Sequence, residues 1–202
     1  QYPSSKHDQR LQSALATLHH RGPDDSGLES FYSPAGRLTL GHARLSVIDL
    51  SDGGHQPMHS ADQRYAIVFN GEIYNYRELR AELQQRGVAF RTQSDTEVLL
   101  QAWANWGESC LPRLVGMFAF ALYDRETETL TCVRDQFGIK PLFYSWDQGA
   151  FLFASELPAI KSLRSTARTL NLQRAYDYLV LGDYDTTEQT FMRGVFHLMP
   201  GH

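Results

Sequence analysis

Tyr65-Ala66-Ile67-Val68-Phe69-Asn70-Gly71-Glu72-Ile73-Tyr74-Asn75-Tyr76 is the stretch on which the fold turns. An apolar run enters Asn70-Gly71 and a second apolar run leaves it. Asn-Gly in that setting is the strongest short hairpin signal, because both residues tolerate positive φ. The local sequence therefore predicts a turn at Asn70-Gly71. The same pair also offers chemistry. Asn70 brings a side-chain amide donor and Gly71 an unobstructed backbone N–H, and two such donors side by side can hold an oxyanion. A tight turn would aim both at one point, so the two readings are compatible.

Upstream, Leu38 to Leu50 mixes β-branched and alternating apolar residues and predicts a strand with Arg44 in its middle. A charged residue there is either an outward-facing member of the alternation or a buried partner for a fixed anion. Gly53-Gly54-His55-Gln56-Pro57 reads as the loop that returns the chain to the next strand. Further back, Leu11, Leu15 and Leu18 form a helical stripe within Asp8 to His20, with Asp8 as N-cap. His19 and His20 in its last turn suit the helix dipole. Arg21-Gly22-Pro23-Asp24-Asp25-Ser26-Gly27 breaks regular structure, and an Arg among acidic groups could brace a nearby site.

Downstream, Asn75-Tyr76-Arg77-Glu78 has capping-box spacing and opens a helix through Leu79 and Leu83 that Gly87 ends. Ser94-Asp95-Thr96-Glu97 repeats the pattern before Val98, Leu99, Ala102 and Trp103, with Gly107 as the stop. Asp95 in the first turn suits the dipole without any ligand. Beyond Pro112 the texture turns to strands: Val115 to Asp124, Thr129 to Asp135, then Pro141 to Trp146 and Ala150 to Ala154 around Asp147-Gln148-Gly149. Glu156 to Leu163 reads as a short helix, and Asn171 caps another through Leu181. Strands clustered in runs, with helices between and after them, argue α+β rather than a parallel βαβ array.

Composition narrows the function classes. With 42% hydrophobic and 21% charged residues over 202 positions, the balance is that of an ordinary globular chain. A net charge of -4 leaves no basic footprint for nucleic acid or an anionic membrane. The longest apolar run, Leu114 to Tyr123, is too short to span a bilayer, and no signal peptide is visible. Cys110 and Cys132 form no metal or disulfide framework and read as buried free thiols, in keeping with a reducing, cytoplasmic setting. The start at Gln1 and the stop at Pro200-Gly201-His202 read as the ends of a piece of a longer chain.

Several motifs stand in one order: Arg21-Gly22-Pro23-Asp24, Gly41-His42-Ala43-Arg44-Leu45-Ser46, Gln56-Pro57-Met58, Phe69-Asn70-Gly71-Glu72-Ile73-Tyr74-Asn75, Ser94-Asp95-Thr96-Glu97 and Arg134-Asp135-Gln136-Phe137-Gly138-Ile139-Lys140-Pro141-Leu142. Together they resemble the glutaminase domain of glutamine-hydrolysing asparagine synthetases, a class II glutamine amidotransferase domain of the N-terminal nucleophile hydrolase type. The resemblance covers nearly all of residues 1–202. Arg44-Leu45-Ser46-Val47-Ile48-Asp49-Leu50 with Gln56-Pro57-Met58 favours the asparagine synthetase branch over the purine and hexosamine amidotransferases.

The resemblance implies a four-layer αββα sandwich, two antiparallel sheets between helices, that cleaves the glutamine side-chain amide to glutamate and ammonia. By the matching motifs, Arg44 would clamp the α-carboxylate, a bidentate task that suits its planar fork. Asp95 would bind the α-ammonium, and Asn70 and Gly71 would hold the oxyanion. Glu72 would belong to the same substrate-binding stretch, and Ser46, Val47 and Ile48 would line the pocket. The family nucleophile is a cysteine at the mature N-terminus whose own α-amine, with a pKa of roughly 7.7–8.0, serves as base. That Cys-Gly-Ile strand is absent here, so these 202 residues alone are expected to be inactive. No cofactor is expected in this domain. ATP and magnesium belong to a C-terminal synthetase domain of the same chain, which would amidate aspartate. Homodimerisation is left open. Two other readings remain: an amidotransferase serving a different acceptor, and a non-catalytic glutamine-binding or interaction domain.

Overall fold

The computed structural model describes residues 6–49, 51–166, 169–183 and 186–202. Its elements run α1 (Lys6–Thr17), β1 (Asp25–Ser33), β2 (Gly36–Arg44), β3 (Met58–His59), β4 (Tyr65–Ile73), α2 (Tyr76–Gln85), α3 (Asp95–Trp106), β5 (Gly116–Asp124), β6 (Thr129–Arg134), β7 (Phe143–Asp147), β8 (Ala150–Ala154), α4 (Leu157–Leu163), α5 (Leu172–Leu181) and β9 (Val195–His197). All strand pairs are antiparallel, in the orders β1-β2, β3-β4-β5-β6 and β8-β7-β9.

Alternation along β4 builds the layers. Ile67, Phe69 and Ile73 face α2 and α3, packing with Leu79, Leu83, Val98, Leu99 and Leu100. Ala66 and Val68 face the opposite way, onto Phe31 and Leu40 of the β1-β2 hairpin. Phe153 of β8 joins that inter-sheet core, and α1 and α4 close the far side through Ala14, Ala159 and Ile160 against Phe143. The order is helices, sheet, sheet, helices, the αββα arrangement. Where two sheets were expected, the layer under α1 and α4 is split into the β1-β2 and β8-β7-β9 ladders among the described residues.

The turn expected at Asn70-Gly71 is not there. Both lie inside β4, opposite Ala119 and Phe118 of β5. Gly71 is small for another reason: a Cβ on it would come 2.2 Å from the Met117 carbonyl oxygen. Close approach of β5, not positive φ, requires the glycine.

Other boundaries also move. The strand expected over Leu38 to Leu50 stops at Arg44, and Leu50 lies outside the described residues. Asp8 is inside α1 and pairs with Arg37 at 2.6 Å. Thr17 ends α1, and His19 and His20 lie in a separate 3₁₀ turn, His19–Arg21. Asp25 begins β1, so the loop predicted through Gly27 ends three residues earlier, at Asp24. Asn75 precedes α2, but its side chain bonds Arg113 O and Val115 N–H at 2.9 and 3.0 Å instead of capping. Ser94 does cap α3, through Thr96 N–H at 3.1 Å. Glu97 turns away from the reciprocal capping bond, and its carboxylate accepts the Arg91 and Thr92 N–H groups.

Candidate active site

The inter-sheet core continues into a cleft. Leu38, Leu40, His42 and Arg44 share one face of β2, and Ala66, Val68, Asn70 and Glu72 share the facing side of β4. Apolar filling gives way to polar side chains at the end of both rows. The result is a cavity of about 410 Å³ lined by Arg44, Val47, Ile48, Asn70, Gly71, Glu72 and Asp95 among others. Every residue the sequence put forward therefore meets there except Ser46, whose N–H is held by Asp24 at 2.7 Å outside the lining.

β4 presents an open edge to this cavity. Its even-numbered residues bond to β5, as Tyr74 N–H to Val115 O at 2.7 Å shows, so the odd-numbered N–H and C=O groups face away. β3 satisfies that side only as far as Ile67. Beyond it, side chains take over. Gln56 Oε1 accepts the Phe69 N–H at 2.6 Å, His42 Nε2 meets Phe69 O at 3.0 Å, and Asp95 accepts the Ile73 N–H at 3.0 Å. Gly71, between them, turns its N–H to the same side. The neighbouring Asn70 carries a buried amide nitrogen, Nδ2, with no hydrogen-bond partner. An orphaned buried donor is costly, and one aimed into a cavity awaits an acceptor.

Charges of both signs line the same space. Arg44 is only 8% exposed, which decides between the two sequence readings in favour of a buried cation. Its fork donates to Ser51 O at 2.9 Å and to Asp49 O, leaving its remaining N–H groups for a ligand. Gly54 makes room for it, since a Cβ there would lie 2.0 Å from Arg44 Nη2. Asp49 is fixed in turn by Ser51 and by Gln93 N–H at 3.1 Å, and hydrogen bonds from Ser51 hold its carboxyl below the usual range. Burial pushes the Asp95 carboxyl up, and the neighbouring charge of Glu72 adds to the shift. A cationic partner would relieve it.

Sequence reasoning missed His42, Gln56 and Lys140, all of which line the cleft. Burial pushes the His42 imidazole down to about 4, so it is neutral at pH 7. Lys140 is delivered by the Arg134-Asp135 pair. The Asp135 carboxylate collects the N–H groups of Phe118, Phe137, Ile139 and Lys140, and Arg134 holds the carbonyls of Gly138, Lys140 and Leu198. Arg21, as a brace, bonds Glu156 at 2.9 Å beside the cleft. Neither cysteine lines it. Cys110 is fully buried as expected, whereas Cys132 is only half-buried, and burial pushes both thiols up to about 12. Among the described residues no cluster of His, Cys, Asp and Glu could hold a metal ion, and no helix is long and apolar enough to cross a membrane.

Similarity to known proteins identifies the family. The chain is 38% identical over 188 residues to asparagine synthetase [glutamine-hydrolyzing] 3 of Bacillus subtilis, covering 92% of this chain and 30% of that protein. It is 34% identical over 196 residues to amidase chry2 of Gibberella zeae, covering 96% of this chain and 28% of that one. The chain thus spans under a third of the length of these relatives. A glutamine phosphoribosylpyrophosphate amidotransferase from B. subtilis, solved with ADP and GMP, superposes with a TM-score of 0.64 at 23% identity, over 77% of this chain and 40% of that one, and shares the fold. A model of the glutamine amidotransferase domain matches residues 2–202, and the chain belongs to that family.

Proposed function

We propose that this domain is the glutaminase half of a glutamine-dependent asparagine synthetase, releasing ammonia from glutamine for ATP-dependent amidation of aspartate elsewhere in the same protein. The observation that carries the reading is the unpartnered Asn70 Nδ2 beside the cleft-facing N–H of Gly71. Both donors suit the oxyanion of a tetrahedral intermediate. Arg44 complements the α-carboxylate of glutamine and Asp95 its α-ammonium, with Glu72 adding negative charge near Asp95. Val47 and Ile48 flank the bound substrate, and Ser46 supports them through its bond to Asp24.

The nucleophile is a cysteine supplied from outside these 202 residues, since buried Cys110 and half-buried Cys132 are both protonated and neither lines the cleft. Its thiolate attacks the amide carbon, and the carbonyl oxygen gains charge against Asn70 and Gly71. The amide nitrogen takes up the proton that the cysteine's α-amine drew from the thiol, and ammonia leaves as the C–N bond breaks. Water then hydrolyses the thioester to glutamate. ATP and magnesium belong to the synthetase part of a cytoplasmic enzyme.

The test is glutamate release by the full-length protein, by its Asn70→Ala variant and by residues 1–202 alone. Activity in the first, lost in the other two, is expected. Release by residues 1–202 overturns the external nucleophile, and an Asn70→Ala enzyme of normal kcat overturns the oxyanion role. A second reading, ammonia delivery to a different acceptor, is favoured by the likeness to amidase chry2. Aspartate-dependent ATP consumption by the full-length enzyme separates the two.

A further inference from the structure

His42 and Gln56 line the cleft, yet the reaction proposed above gives neither a task, and both act on one residue of β4. Gln56 takes the N–H of Phe69 at 2.6 Å and His42 its carbonyl oxygen at 3.0 Å. That carbonyl belongs to the peptide joining Phe69 to Asn70. Gln56 also donates to Thr96 Oγ1 at 3.3 Å, beside Asp95, which holds Ile73 N–H. Gly71 is therefore flanked on both sides by strand groups that side chains have fixed.

A carbonyl oxygen can only accept, so His42 Nε2 carries the proton and Nδ1 is a bare acceptor. Nδ1 is buried and has no partner. A leucine here would continue the row of Leu38 and Leu40 without that cost. The charged and titratable neighbours are Asp25, which favours protonation, and Arg44 and His55, which oppose it.

We propose that His42, together with Gln56, is a positioning residue for the oxyanion donors: its Nε2–H fixes the Phe69–Asn70 peptide and so aims Asn70 Nδ2 and Gly71 N–H. The inference rests on the glutaminase reading. Neither residue touches the reacting atoms, so the effect falls on the transition state and not on glutamine affinity.

The experiment is steady-state glutamine hydrolysis by the full-length protein and its His42→Leu, His42→Gln and His42→Leu/Asn70→Ala variants. Misplacing a catalytic group by about 1 Å costs up to about 100-fold, so His42→Leu should lower kcat by about 10- to 100-fold. KM should stay within about twofold of wild type. Glutamine places an amide N–H near the Nε2 position, so His42→Gln should recover most of kcat. The double variant should be no slower than Asn70→Ala alone, because aim is irrelevant once the donor is gone. Should the leucine variant fail to fold, His42→Asn, polar and shorter, takes its place. Unchanged kcat in His42→Leu, failure of His42→Gln to recover, or multiplicative losses in the double variant each overturn the proposal. Absence of glutamate release by the wild-type protein overturns the glutaminase reading, and the proposal with it.

Discussion

Asp95 accepts the backbone N–H of Ile73 at 3.0 Å and so ties the first turn of α3 to the end of β4. One carboxylate thus serves the fold and lines the cleft, at a pKa that burial raises. A raised folded-state pKa means the protonated form fits the fold better. The wild-type protein therefore loses stability relative to Asp95→Asn as pH rises from below 3.8 through the raised value. We expect Asp95→Asn to melt at or above the wild-type temperature at pH 7, with the gap closing below 3.8, while KM for glutamine rises. Thermal melts across pH, with kinetics at pH 7, check both halves.

Asn70→Ala separates function from stability more sharply. Removing an oxyanion donor costs about 10²–10³ in kcat. The amide nitrogen has no protein partner to lose, so its removal should leave the melting temperature unchanged or slightly raised. A large fall in melting temperature would show that the amide has a structural role.

Gly54→Ala should act on Arg44 without touching it chemically. The added methyl would lie 2.0 Å from Nη2, so the guanidinium must move. Overpacking of this kind costs about 1–3 kcal/mol. We expect a matching fall in denaturant midpoint and a raised KM for glutamine, with kcat less affected.

The thiols give a fourth expectation. Burial pushes Cys110 and Cys132 up to about 12, so neither forms appreciable thiolate at pH 8. A thiol reagent should label neither in the folded domain and both after denaturation. Rapid labelling of either in the native state would contradict the burial.

The sequence was most legible where one local rule decides. Gln148-Gly149 carries the positive φ of a hairpin between β7 and β8, and Gly87 and Gly107 end their helices as expected. It misled at Asn70-Gly71, where the same turn signal came from a glycine small enough to let β5 approach. β1, β3 and β9 went unread: β1 is largely polar, and β3 and β9 are short. Arg44 was undecided until burial was known, because alternation alone does not say which face is inward. His42 and Gln56 stood inside motifs the sequence offered, yet nothing local gave either a task. Their task exists only once β4 lacks a neighbour beyond Ile67, which is a fact about three segments together.

That missing neighbour has a consequence outside catalysis. A strand edge with free N–H and C=O groups is a template on which another chain can add. Here Gln56, His42 and Asp95 occupy the groups of Phe69 and Ile73, so an incoming strand finds no continuous run to pair with. The devices that keep a chemical edge open to a small molecule also keep it closed to a second polypeptide. Variants that strip them should then show self-association on storage as well as slow turnover.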